Sequence, residues 1–245
     1  MEWWRKYAER RSPNYGERRG VTSPDMIVIH YTGMATAAAA LERLCDPGAE
    51  VSAHFLIDLD GTRTKLVHPR YRAWHAGVSC WGGVQDVNSN SIGIELVNPG
   101  EGAQYCPFPE PQMAHLEALI AYLVRHYGIA PERVLGHGCI APGRKVDPGP
   151  KFDWRRLALQ NLSIWLDPEA STGPADAPDA HRFQTAARRF GYLVPDNGEW
   201  CAETCAVWES FRARFYLSCP PGLPDSAGIT HLERLAARWP CRLGP

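Results

Sequence analysis

Two short runs constrain this chain more than anything else in it: Met26–His30 (MIVIH) and Ser91–Val97 (SIGIELV). Each is rich in Ile, Val, Leu or Met, and so each reads as a buried strand. Yet each carries an ionisable residue at or near its end, His30 in one and Glu95 in the other. A polar group set among apolar neighbours is costly without a partner. Such residues are either satisfied core groups or parts of a site.

The stretches around these strands complete an α/β pattern. Ala35–Leu44 is Ala-rich and helical, while Val51–Asp58 alternates apolar and polar residues. An Asp60–Gly61 turn and Thr64–Val67 follow it, which together predict a hairpin. Pro111–Tyr127 sets Met113, Leu116, Leu119, Ile120, Leu123 and Val124 at helical spacing, with Gly128 as C-cap. Val134–Gly136 reads as a short strand and Asp153–Trp165 as a closing helix capped by Asp153. Residues 1–166 are therefore expected to form an α/β domain, a central mixed β-sheet flanked by helices. Residues 167–180 (DPEASTGPADAPDA) read as a linker by composition. His181–Gly191, Trp200–Phe215 and Thr230–Trp239 carry helical spacing, which makes 181–245 a small three-helix module near the lower limit for independent stability.

Charge and composition remove other classes. Lys and Arg total 26 against 27 Asp and Glu, a formal charge of −1. That excludes a strongly basic nucleic-acid binder as a reading of the whole chain. No stretch approaches the ~18 consecutive apolar residues of a membrane span. The first twenty residues are rich in Arg and lack a long apolar run, so they do not read as a secretory leader. The eight cysteines lack CxxC doublets. Cys201 and Cys205, four apart, would share a helix face; reduced or incidentally paired thiols are the plainer reading than a small metal site.

A third polar cluster lies in LGHGCIAPGRKVDPGP, which holds His137, Lys145 and Asp147. A Pro/Gly-rich loop separates His137 from Asp147 and can turn back so that both reach one ion. With His30, two histidines and a carboxylate meet the ligand set of a catalytic zinc site, three protein ligands and one open position. Spacing alone does not bring the clusters together.

Five stretches in order carry a resemblance: IVIHYT, VSAHFLID followed by a DG turn, AWHAG, NSIGIELVN and GHGCIAPGRKVDPGPKFDW. Through them, residues from about Val21 to Trp165 resemble the zinc-dependent N-acetylmuramoyl-L-alanine amidases of the AmpD and AmiD kind, related in fold to peptidoglycan recognition proteins and phage amidase lysozymes. That family cleaves the amide between the lactyl group of N-acetylmuramic acid and the L-alanine of the stem peptide. The resemblance implies one zinc ion per chain, held by His30, His137 and Asp147, with Cys139 the nearest alternative ligand. It implies Glu95 as the general base and then acid, and Lys145 as the cation facing the developing oxyanion. It places Trp74, His75 and Asn90, and with them Tyr31 and Trp81, near the substrate groove. His54 reads instead as a structural histidine beside the core.

The C-terminal module resembles a three-helix peptidoglycan-binding domain through HRFQTAARRFGY, a DNG turn and ETCAVWESFRARF, although Phe211–Arg212 stands where a Phe-Gln pair is usual. The expected partner is peptidoglycan or a muropeptide. The linker and module point to the periplasm or cell envelope, the missing leader to the cytoplasm. Two rival readings are a non-catalytic peptidoglycan-binding protein on the same fold, disfavoured by the intact ligand set, and a secreted wall-degrading effector or lysin with the same chemistry.

Overall fold

A computed structural model describes residues 7–102, 104–169, 177–217, 219, 221–222 and 224–241. The chain packs as two compact units. Of the described residues, the first takes 7–77, 86–137 and 147–164, and the second takes 78–85, 138–146 and those from 165 onward. By packing, then, two segments of the α/β section group with the C-terminal helices. Residues 170–176 of the expected linker lie outside the described residues.

The first unit is built on strands β1 (Ala8–Glu9), β2 (Tyr15–Gly16), β3 (Met26–Tyr31), β4 (Phe55–Ile57), β5 (Arg63–Lys65), β6 (Arg72–Ala73), β7 (Ser91–Leu96) and β8 (Val134–Gly136). Six of them form a mixed sheet in the order β1-β5-β4-β7-β3-β8, and β2 pairs with β6. The two apolar runs are its centre: β3 and β7 pair in parallel, with β4 and β8 parallel on their outer sides. Strands covered on both faces need apolar side chains on both, and Met26, Ile27, Val28, Ile29, Ile92 and Ile94 are all fully buried. The expected hairpin is present as the antiparallel pair β4 and β5, but β4 begins only at Phe55, so Val51–His54 is not part of the strand.

Helix α1 (Ala37–Cys45) starts at Thr36, whose side chain accepts the Ala39 N–H. Its buried Ala40 and Leu44 pack on Ala53, Leu56, Leu66 and Val97. The single turn α2 (Val87–Asn90) is capped by Asp86. Helix α3 (Glu110–Tyr127) buries Met113, Leu116, Leu119, Ile120 and Leu123 and ends at Gly128 in the left-handed conformation (φ 68°), which glycine adopts without steric cost. The turn α4 (His137–Ile140) follows β8 directly. The closing helix is shorter than expected: α5 spans only Trp154–Ala158, with Asp153 capping as read, because the chain leaves helical geometry by Asn161 at φ 57°.

In the second unit, α6 (Ala180–Phe190), α7 (Ala202–Phe215) and α8 (Ser226–Arg238) bury Phe183, Phe190, Trp208, Phe211, Phe215, Ile229, Leu232 and Leu235. Buried Gln184 ties the DNG turn to this core. It donates to Asn197 Oδ1, the Glu199 carbonyl and Thr204 Oγ1, and accepts the Gly198 N–H. Trp81 also belongs here, edge-on to Phe190 and Tyr192. All eight cysteines are free thiols. No described helix is long and apolar enough to cross a membrane.

Candidate metal centre

Register brings the sequence clusters together. On β3 and β7, His30 is the direct partner of Glu95; on the other side of β3, Ile29 pairs with Gly136, so His137 is the next residue beyond the end of β8. Three adjacent parallel strands thus deliver His30, Glu95 and His137 to their carboxyl ends, where open α/β sheets place their sites. Asp147 returns to the same place. His30, His137 and Asp147 are all buried and their ligand atoms form a tight triangle. His30 Nδ1 lies 3.0 Å from His137 Nδ1 and 3.0 Å from Asp147 Oδ2, and His137 Nδ1 lies 3.2 Å from the same oxygen.

The partners of the outer ring nitrogens assign the tautomers. His137 Nε2 faces the Ala76 carbonyl at 3.0 Å, which only accepts, so Nε2 carries a proton and Nδ1 is the nitrogen turned to the triangle. The His30 assignment passes through two more residues. Ser91 Oγ donates its one proton to the Val87 carbonyl at 2.6 Å, and so accepts from His75 Nε2 at 3.2 Å. His75 Nδ1 is then an acceptor, and His30 Nε2 donates to it at 3.1 Å. His30 Nδ1 is therefore the nitrogen turned to Asp147 and His137.

Two imidazole nitrogens and one carboxylate oxygen thus face one another, an arrangement that a cation at the centre makes favourable. Four ligands about 2.0–2.1 Å from one zinc ion stand about 3.3 Å apart, close to the spacings found. Two imidazoles and a carboxylate, each imidazole donating outward from its other nitrogen, fit zinc. Cys139 is not in this group; buried in the second unit, its thiol accepts from Arg214 Nη1 at 3.5 Å.

The other expected site residues fall as follows. Glu95 is half-buried beside His30 in register. Lys145 is exposed on the 138–146 segment, two residues before Asp147. His75 is only 8% exposed and both ring nitrogens are taken by His30 and Ser91, which leaves its ring no nitrogen for a substrate. Burial, reinforced by the neighbouring His30, His54 and His137, holds its imidazole well below the ordinary range, so it is neutral. Trp74 is half-buried and exchanges backbone contacts with Ser52. Asn90 turns its side-chain amide back to the Asp86 carbonyl. Tyr31 is half-buried, 6.0 Å from the Tyr105 ring. His54 is fully buried, accepts the Gly93 N–H and donates to the Tyr71 carbonyl; burial pushes it down to about 3.

Three residues of the same stretch escaped the sequence reading. Asn88 Oδ1 accepts both the His75 and Ala76 N–H groups, at 2.9 and 2.8 Å, and so fixes the backbone that supplies a partner to His137. Ser91 orients His75. Gly93 leaves room for it: a Cβ there would stand 2.5 Å from His75 Cγ. A glycine inside an apolar strand was the available signal of a close approach.

A mixed sheet carrying a buried two-histidine, one-carboxylate centre at its strand ends defines the class, an α/β protein with a zinc-type site. Residues 20–150 match the family described as N-acetylmuramoyl-L-alanine amidase, Amidase_2, and the chain belongs to it. It is 34% identical over 231 residues to the N-acetylmuramoyl-L-alanine amidase AmiD of Escherichia coli K12, across 78% of this chain and 83% of that one. It is 36% identical over 174 residues to the 1,6-anhydro-N-acetylmuramyl-L-alanine amidase AmpD of Citrobacter freundii, across 64% of this chain and 91% of that one. Among solved structures it is similar to E. coli AmiD in complex with anhydro-N-acetylmuramic acid-L-Ala-D-γ-Glu-L-Lys (TM-score 0.79, 29% identity, 95% of this chain and 94% of that one). Pseudomonas aeruginosa AmpDh3 is also similar (TM-score 0.74, 27% identity, 94% and 96%).

Proposed function

We propose that this chain is a zinc-dependent N-acetylmuramoyl-L-alanine amidase, hydrolysing the amide between the lactyl group of N-acetylmuramic acid and the L-alanine of the peptidoglycan stem peptide. The observation that carries this reading is the buried triangle of Nδ1, Nδ1 and Oδ2 atoms in a chain of the amidase family. The substrate class is supported by the anhydro-muropeptide in the AmiD complex and the anhydromuramic pentapeptide in an AmpDh3 complex.

His30, His137 and Asp147 would hold the ion. When bound, zinc supplies Lewis-acid character and an activated water near neutral pH. Glu95, beside His30 in register, takes the proton released as water attacks the amide carbon and returns it to the leaving L-alanine nitrogen. Lys145 is the cation we assign to the charge developing on the carbonyl oxygen, a contact of the kind worth roughly 3–4 kcal/mol per donor. Tyr31, Trp74 and Asn90 remain assigned to the substrate side of the site.

The rival reading, a binding protein without catalysis, is disfavoured because every residue of the ligand set is present together with Glu95 and Lys145. We read the second unit as the part that holds wall polymer. It carries an open cavity of about 1010 Å³ lined by Val78, Ile140, Leu193, Ala206 and Val207. A two-unit chain of this kind supports action on wall material in the cell envelope rather than on small fragments in the cytoplasm.

The test is mass spectrometry of products after incubation with intact sacculi and with anhydro-muropeptides, each with and without a chelator. The reading expects chelator-sensitive release of free peptides beginning with L-alanine. No release from either substrate by metal-replete protein would overturn it.

A further inference from the structure

We infer that Tyr105 is a positioning residue for Asp147, acting by clamping the turn that carries this ligand. The inference rests on the metal-centre reading above. Residues 147–151 belong to no strand or helix. Pro148 and Pro150 also lack the N–H with which a turn commonly closes on itself. One side-chain atom supplies the missing ties. Tyr105 Oη donates to the Pro148 carbonyl at 2.8 Å and accepts the Lys151 N–H at 2.9 Å. Both ends of the stretch directly beyond Asp147 are thereby joined to a single hydroxyl.

The fit is close on both sides of the turn. Gly149 stands at φ 77°, and a Cβ there would lie 2.7 Å from the Tyr105 hydroxyl. On the other side, a Cβ on Gly136 would lie 2.8 Å from Pro148 Cδ, so Pro148 rests against the last residue of β8. Pro148 is thus held between the residue that precedes the ligand His137 and the tyrosine. Tyr105 is itself tied down. Lys151 Nζ donates to its carbonyl at 2.5 Å and lies over its ring, 4.9 Å from the centroid. Fully buried Asn98 donates to the carbonyl of the next residue, Cys106, at 3.0 Å. The Asp147 carboxylate stands 3.0 and 3.2 Å from the two histidine Nδ1 atoms, and a ligand set of this kind tolerates only about 0.5 Å of displacement. The hydroxyl clamp supplies a precision that a turn without ladder bonds lacks.

The experiment uses the full chain stripped of metal, and none of its readouts is turnover. Competition titration with zinc alone reports affinity, amide hydrogen exchange reports protection of the Lys151 N–H, and thermal unfolding reports the stability of the metal-free fold. Tyr105→Phe keeps the ring and removes only the hydroxyl. It should weaken zinc about 10-fold, the effect of removing a group that orients a ligand, and should open the Lys151 N–H to exchange. Lys151→Met keeps that N–H and the clamp while removing the charge over the ring, so its zinc affinity should match wild type. A tyrosine that served the fold alone would lower the unfolding midpoint of the metal-free protein and leave zinc affinity where it was. Unchanged affinity in Tyr105→Phe, or an equal loss in Lys151→Met, would overturn the proposal. If wild type bound no zinc, the metal-centre reading would fail, while exchange at Lys151 would still decide whether the hydroxyl holds the turn.

Discussion

His30 and Glu95 are register partners on adjacent parallel strands, so the imidazole and the carboxylate project from the same face of the sheet. This fixes one ligand and the proposed base relative to each other through backbone ladder bonds, without loops. Rigid strands hold such a pair more precisely than loops do. It follows that Glu95→Gln should leave the metal in place and lower kcat by about 10²- to 10⁴-fold, the usual contribution of a positioned acid–base group. Zinc content and kcat measured on the same preparation check this. A metal-replete variant with wild-type turnover would remove Glu95 from the proton transfer.

His137→Ala removes one corner of the triangle and the partner of the Ala76 carbonyl. Zinc retention after dialysis and activity should be lost together. An active variant free of metal would overturn the site.

Much of this was legible in the sequence, for definite reasons. The two apolar runs could only be central strands, and their polar ends could only face a site or a partner. The order of the motifs implied the ligands; register brings His30 and His137 to neighbouring strand ends, and Asp147 groups with them from the following loop. What the sequence could not show was direction. Nothing in AWHAG says that His75 turns inward to His30, because that depends on Ser91 and Gly93 on another strand. The resemblance places Asn90 near the substrate groove, but it does not show that Asn88 binds the AWHAG backbone. Nor did composition reveal that residues 78–85 and 138–146 pack with the C-terminal helices, since packing across such distances leaves no local pattern.

Gly93→Ala tests the close approach directly. The added methyl would meet His75 Cγ at 2.5 Å, so the ring must move. Thermal unfolding should show a loss of about 1–3 kcal/mol, the range for overpacking a tight site, and zinc affinity should fall with it. Wild-type values for both would mean that His75 has room the structure does not show.

His231 in the second unit gives a pH dependence with a definite sign. It is buried, with Arg234 adding to the effect of burial, and its imidazole is pushed down to about 4. Between about 6.5 and 4 the unfolded chain binds the proton and the folded one does not. Stability conferred by the neutral form is therefore complete above about 6.5 and falls as pH drops toward 4. His231→Leu removes the titrating group and should lose less stability than wild type between pH 7 and pH 4.5 in urea denaturation. Equal losses would show that His231 does not titrate on unfolding.

The cavity of the second unit makes a separable claim. Ala206 lines it from α7. Ala206→Trp should reduce cosedimentation with sacculi severalfold while leaving turnover of soluble anhydro-muropeptides unchanged. Equal cosedimentation would remove the cavity from wall binding.

The central claim is that one zinc ion, held by His30, His137 and Asp147, makes this chain an amidase. Its most direct test is a zinc titration of metal-stripped protein, following release of L-alanine-terminated peptide from an anhydro-muropeptide. The account predicts no release without metal, a linear rise that levels at one equivalent per chain, and no rise in His137→Ala. Full activity in the stripped protein, or restoration of His137→Ala by the same equivalent, would contradict it.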